Sequence, residues 1–244
     1  MYSLYMQEIN RRVLLGGLAA TAIDLPAQEP ERESLYIPKA HLVEDRKLLH
    51  DFMDEYSFVD LITTTPELRI THIPCFLDRT VGKYGTIYGH IARHNPQSAT
   101  FDGKHSAVIV FRSPHSYISP TWYAKTDVVP TWNFAVVHAS GKLQPIAERQ
   151  PLHDLLARLI KKNESYVKSD YDFAKIPDDY KFGLMTGIIG FSMEIELLEG
   201  KFKLGQERSD GDRAGVLKNL QTSARRETSL HDLTASFYQR PKPV

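Results

Sequence analysis

Five strand-like stretches, residues 58–64, 68–77, 85–91, 106–111 and 133–143, limit most what this chain can fold into. They are rich in branched and aromatic side chains, and Pro66, Gly82 and Gly85 punctuate the first three as a meander. Residues 106–111 (SAVIVF) are almost continuously apolar, the pattern of a strand buried on both faces. A sixth stretch comes late: Phe191, Met193, Ile195 and Leu197 alternate with Ser192, Glu194 and Glu196 at the two-residue period of a half-solvated strand. About six or seven strands with few βαβ alternations disfavour a doubly wound parallel sheet and predict a mostly β fold, a closed antiparallel barrel with peripheral helices.

The helices are read from periodicity. Residues 43–56 place Leu48, Leu49, Phe52, Met53 and Tyr56 on one face. Residues 150–162 do the same with Leu152, Leu155, Leu156, Leu159 and Ile160, and end on lysines, which a helix dipole favours there. Residues 177–187 open with a proline and two acids, and residues 212–225 form the last helix. This divides the chain into an extension (1–34), a domain (35–225) and a flexible tail (226–244). Within the extension, residues 8–28 pair Arg11-Arg12 with a short apolar stretch, the outline of a twin-arginine export signal, although Glu8 and Asp24 interrupt it. A cytoplasmic protein is the leading reading, with these residues an amphipathic N-terminal arm or the product of an upstream start codon added to the true reading frame. No apolar run reaches the roughly 18 residues of a membrane span.

Composition excludes several functions. Thirty basic residues balance thirty acidic ones, so the footprint of a dedicated nucleic-acid binder is missing. A single cysteine, Cys75, rules out an internal disulfide, a thiolate zinc cluster and an iron–sulfur centre. His90 and His94 are four apart but fall on a strand running into the Asn95-Pro96 turn, where they lie too far apart to chelate. Nucleophile-elbow, dinucleotide and triphosphate loop motifs are absent.

What remains is a set of polar and aromatic residues at strand ends. GHIARHNPQ (residues 89–97) puts His90, Arg93 and Asn95 where a strand breaks into a turn, a phosphate seat if the guanidinium forks onto phosphate oxygens. HSYISPTWY (residues 115–123) gathers Tyr117, Ser119 and Trp122 around a proline, and such amphipathic rings suit a flat ligand or an interface. VVPTWNFAVVHASGKL (residues 128–143) carries Thr131, Trp132 and Asn133 at its mouth and His138 within its apolar run, more chemistry than a core strand needs.

These motifs, with LYIPKAH (35–41), IIGFSMEIELLEGKFKLGQER (188–208) and DRAGV (212–216), run colinearly over about three-quarters of the chain. Together they resemble the PaiB-type family of FMN-binding split barrels. The resemblance implies an antiparallel split barrel of Greek-key type and a homodimer holding FMN in a cleft at the subunit interface. It further implies that His90, Arg93 and Asn95 hold the phosphate end, that Tyr117, Ser119 and Trp122 neighbour the ring or the partner, and that Thr131, Trp132, Asn133 and His138 line the cleft. The chain departs from the family pattern at Ser98, Phe202 and Gly205, where an aromatic residue, an indole and a hydroxyl are more usual, which bears on cofactor retention.

Three functions follow as expectations: a flavin-dependent redox protein or oxidoreductase, a non-catalytic transcriptional regulator of the PaiB type, or a non-covalent haem-binding protein on the same barrel with His90, His94, His115 or His138 as axial ligand. Zero net charge and the lack of a helix-turn-helix weigh against direct contact with nucleic acid.

Overall fold

The computed structural model describes residues 34–125, 127–222 and 228–239. Eight strands are present among them: β1 (Leu42–Val43), β2 (Phe58–Thr63), β3 (Arg69–Asp78), β4 (Thr86–Ala92), β5 (Ser106–Arg112), β6 (Ser116–Ile118), β7 (Thr131–Ile146) and β8 (Ile188–Lys203). All pairings are antiparallel. β2, β3 and β4 form the expected meander, and β5 returns to lie beside β2, which is the Greek-key order. β7 then pairs with both β5 and β8, and β8 with β4, closing a six-stranded barrel. Closure removes the sheet edges that an open meander would leave unpaired.

β7 and β8 are 16 residues each, longer than any other strand, and they wrap the barrel along most of their length. Along β7 the odd-numbered residues from Asn133 to Leu143 are buried inside, and the even-numbered ones point outward. The register slips between Ser140 and Gly141. A Cβ at Gly141 would collide with the Glu194 carbonyl oxygen, so glycine is what lets the two long strands approach closely at this bulge.

The interior is apolar: Leu61, Ile87, Ile109, Val137, Phe191, Met193 and Phe202 are fully enclosed. Helix α1 (Arg46–Glu55) adds Leu49, Phe52 and Met53 to this core, its Asp45 side chain capping Leu48 N. It begins three residues later than the periodicity suggests, because Leu42 and Val43 are spent on pairing with β8. Helix α2 (Arg149–Val167) lays Leu155 and Leu159 on Phe76 and Tyr88 of β3 and β4, and α3 (Asp178–Met185) follows.

Two further helices close the chain, α4 (Asp210–Thr222) and α5 (Thr228–Tyr238). The second lies in the stretch read from composition as a tail. Its Phe237 ring meets Phe202 at 5.5 Å and its Tyr238 hydroxyl donates to the Leu204 carbonyl, tertiary contacts that no local pattern announces. Phe202 itself is buried between Phe52 and Phe237, so its departure from the family pattern falls in the core rather than in a cofactor cleft. The export-signal reading of residues 8–28 lies outside the described residues. No described helix is long and apolar enough to cross a membrane.

Candidate functional site

The residues singled out from sequence fall into two groups at opposite ends of β7. At its start, β6 pairs with it so that Tyr117 faces Trp132, Ser116 faces Asn133 and Ile118 faces Thr131. The Trp132 indole stays 46% exposed and the Tyr117 ring 41% exposed, their centroids 5.9 Å apart in an edge-to-face arrangement, with the His115 ring 5.8 Å from the indole. This open aromatic platform is held from below. Lys203 Nζ donates to Thr131 Oγ1 at 2.6 Å, and Asn133 points inward and is buried.

Ser119 and Trp122 do something different. The Ser119 hydroxyl accepts from Thr121 N at 3.3 Å and shares a 2.8 Å hydrogen bond with Thr121 Oγ1, capping the single 3-10 turn Pro120–Trp122. Trp122 packs with Ile118, Val216 and Leu220. Its carbonyl abuts Gly215 of α4, where any Cβ would clash. These two residues fix the turn behind the platform and do not extend the platform itself.

At the other end, β4 runs out beside β8 and the last residues of β7. His90 is opposite Gly190, which is opposite Ile146. The His90 Nδ1 atom is buried without a hydrogen-bond partner, and burial pushes the imidazole pKa below its usual value. This unspent nitrogen is covered, and His90 is not among the residues that line the neighbouring cleft. Arg93 spends only Nε, which donates to the Thr186 carbonyl at 2.9 Å. Its guanidinium shares a cleft of about 270 Å³ with Arg149, Ala147, Leu152, Phe182, Met185 and Thr186, a lining without a carboxylate. Two arginines lining one acid-free cleft, the Arg149 guanidinium lying 4.7 Å over the Phe182 ring, are the makings of an anion seat. Arg149 was not singled out from sequence, since at the start of α2 it reads as solvated; only the fold brings it beside Arg93.

Asn95 does not join that seat. Its Oδ1 accepts from Gln97 N at 2.9 Å and its Nδ2 donates to Thr71 Oγ1 at 2.9 Å, so its polar atoms are engaged in capping the turn at Pro96–Thr100. The neighbouring Gln97 is fully buried and donates to Leu61 O, Thr63 Oγ1 and Arg69 O, which pins the turn to β2 and β3. The Asn-Pro-Gln run is thus a structural clamp.

His138 lies between the two groups on the outer face, in register with Val110, Asp60 and His72 on one side and Glu199 on the other. Ser34 Oγ donates to Glu199 Oε2 at 2.5 Å and stands 3.1 Å from His138 Nδ1. With the hydroxyl proton committed to the carboxylate, Nδ1 is the donor, which leaves Nε2 as an acceptor. Burial lowers the His138 pKa, opposed by the Glu199 charge. The surrounding face is apolar with one polar line through it: Phe58 is 70% exposed and Ile70 52%, while Asp60 pairs with His72 at 2.5 Å and Arg112 at 2.6 Å.

A family described as "Putative FMN-binding domain" matches residues 35–197. The chain belongs to the PaiB-type FMN-binding family. It is 32% identical over 188 residues to the protease synthase and sporulation protein PAI 2 of Bacillus subtilis, covering 77% of this chain and 89% of the relative. An uncharacterized protein of Aspergillus fumigatus is 28% identical, covering 77% of this chain and 91% of its own length. Among solved structures, the flavocytochrome Anf3 of Azotobacter vinelandii is similar with a TM-score of 0.50 at 11% identity, over 73% of this chain and 78% of the other, a likeness of fold. Residues of this chain fit the family's cofactor: an acid-free pair of guanidiniums for a phosphate and an exposed aromatic platform for a planar ring.

Proposed function

We propose that this protein is a homodimeric FMN carrier with a redox role, whose cofactor cleft is completed by residues from both subunits. The observation that carries this is the separation within one chain. The Arg93–Arg149 cleft and the Trp132–Tyr117 platform sit at opposite ends of β7, about 45 Å apart along a strand that rises about 3.3 Å per residue, although a flavin needs both. In a two-fold dimer, different patches of the same surface face each other, so one protomer's anion seat meets its partner's platform. The outer face of β2, β5 and β7, with exposed Phe58 and Ile70 around the Asp60 ion pairs, is the surface such a dimer would bury.

In this arrangement Arg93 and Arg149 hold the phosphate, and Trp132 with Tyr117 orients the ring and excludes water from one of its faces. His138, its pKa lowered by burial, is a neutral group able to hydrogen-bond to the cofactor's polar edge without adding charge. FMN when bound supplies the electron and hydride chemistry, so the absence of a triad in the sequence is consistent with this role. Regulation in the manner suggested by the name of the Bacillus subtilis relative is the second reading, favoured by that likeness across most of both chains.

Titration of the purified protein with FMN, and separately with haemin, under light scattering tests the proposal. Stoichiometric flavin bands on a species of twice the chain mass support it. A monomer that binds FMN contradicts the two-subunit cleft, and a dimer that takes up haemin but not FMN replaces flavin with haem.

A further inference from the structure

Beside the cleft assigned to the flavin phosphate, with which it shares Phe182, α2 and the segment that follows it form a trough of about 620 Å³, within the usual range for small-molecule sites. One wall is aromatic. The His153 imidazole stacks on Phe173 with centroids 5.4 Å apart and planes inclined by 26°, and Phe182 closes on the same imidazole at 6.0 Å. Lys181 lines the trough although it is only 5% exposed, with its Nζ 5.2 Å over the Phe173 ring.

A buried ammonium needs compensation, and this one is only partly compensated. Asp178 Oδ1 stands 2.9 Å from Lys181 Nζ, but the Asp178 side chain is 75% exposed, so water screens its charge and it occupies one of three donors. A lysine needed only for an i,i+3 pair with an exposed aspartate would lie in solvent beside it. The other charges in the lining are Asp172, whose carboxylate accepts from Ala174 N in a turn cap, Glu164 and Lys161, so three carboxylates stand with two lysines and only Lys181 is buried against the aromatic wall.

We propose that this trough binds a small planar organic anion, an aromatic or heteroaromatic carboxylate, with its ring against Phe173, His153 and Phe182 and its carboxylate on the Lys181 ammonium. A flat ring continues the existing stack, and the carboxylate takes donors that Asp178 leaves.

Calorimetric titration of the full chain with benzoate and with nicotinate tests this, using benzamide as the same ring without the charge. We expect saturable one-to-one binding of at least one carboxylate, about tenfold weaker for benzamide, and about tenfold weaker for the carboxylate in Lys181→Met, as loss of a charge-assisted hydrogen bond requires. Phe173→Leu weakens the same binding while leaving Lys181 in place, and circular dichroism verifies that both variants fold. No saturable heat with either carboxylate overturns the proposal, as does equal affinity for benzamide. Unchanged affinity in a folded Lys181→Met protein overturns it too. If that variant does not fold, the wild-type comparison of benzoate with benzamide decides.

Discussion

Where β7 begins, the side chains that leave the barrel are aromatic and half-exposed, and the hydrogen bonds of Thr131, Ser119 and Thr121 lock the backbone around them. Where it ends, Lys142 and Gln144 are exposed, Ile146 packs under Leu155 and Leu159 of α2, and two arginines line a neighbouring cleft with no acid. One strand thus carries a surface suited to a flat ring at one end and a surface suited to an anion at the other. The contrast teaches that the two features are separated within one chain, which is why the proposed cleft draws on two copies.

The largest effect is expected where the comparison should vanish. Phe202 lies in the shared core between α1 and α5, so Phe202→Ala should cost about 3–5 kcal/mol. That lowers the melting temperature by about 10 °C and weakens both ends together. If calorimetry shows no change, the two ends do not depend on one core.

Next, the double variant Arg93→Ala with Arg149→Ala should lose about a hundredfold to ten-thousandfold in FMN affinity and little in affinity for riboflavin, which lacks the phosphate, because each charge-assisted hydrogen bond contributes about 1.5–3 kcal/mol. Equal losses for both flavins in fluorescence titrations would remove the anion seat from that end. Trp132→Leu should weaken FMN and riboflavin alike, by about tenfold, as loss of a ring contact does. Selective loss of FMN would mean that the two ends have been assigned the wrong way round.

The smallest effect is on pH. Burial lowers the pKa of His41, His50, His90 and His138 below 6.5, so the unfolded chain takes up protons first as pH falls. The stability associated with these neutral rings is therefore complete above about pH 6.5 and is lost as pH drops through their lowered folded values. Melting curves between pH 8 and pH 5 should show this decline, with a shallower slope in His138→Gln. A slope of opposite sign would mean that the rings are held charged.

The barrel was legible because its strands announce themselves. Alternation in β8, the unbroken apolar run of β5 and the glycine–proline punctuation of the meander each follow from local sequence. The short pieces β1 and β6 carry no such signal, since they exist only through pairing with long neighbours, and α5 is anchored by Phe237 and Tyr238 on Phe202 and Leu204. At the site, residue types were visible but roles were not. Asn95 before Pro96 and Ser119 before Pro120 stand where polar caps commonly sit, and capping is what the structure shows them doing. Arg149 and Lys181 gave no signal, because a cation on a helix reads as solvated until the fold places it in a cleft.

The two-subunit cleft is most directly tested by mixing protomers. Arg93→Ala and Trp132→Ala homodimers each lack a complete site, but a mixed dimer carries one site with both substitutions and one with neither. Unfolding and refolding the two variants together, then measuring bound FMN on the isolated mixed dimer, should return one full-affinity site per dimer. A mixed dimer that binds no better than its parents would contradict a cleft shared between subunits and place all of the FMN contacts within one chain.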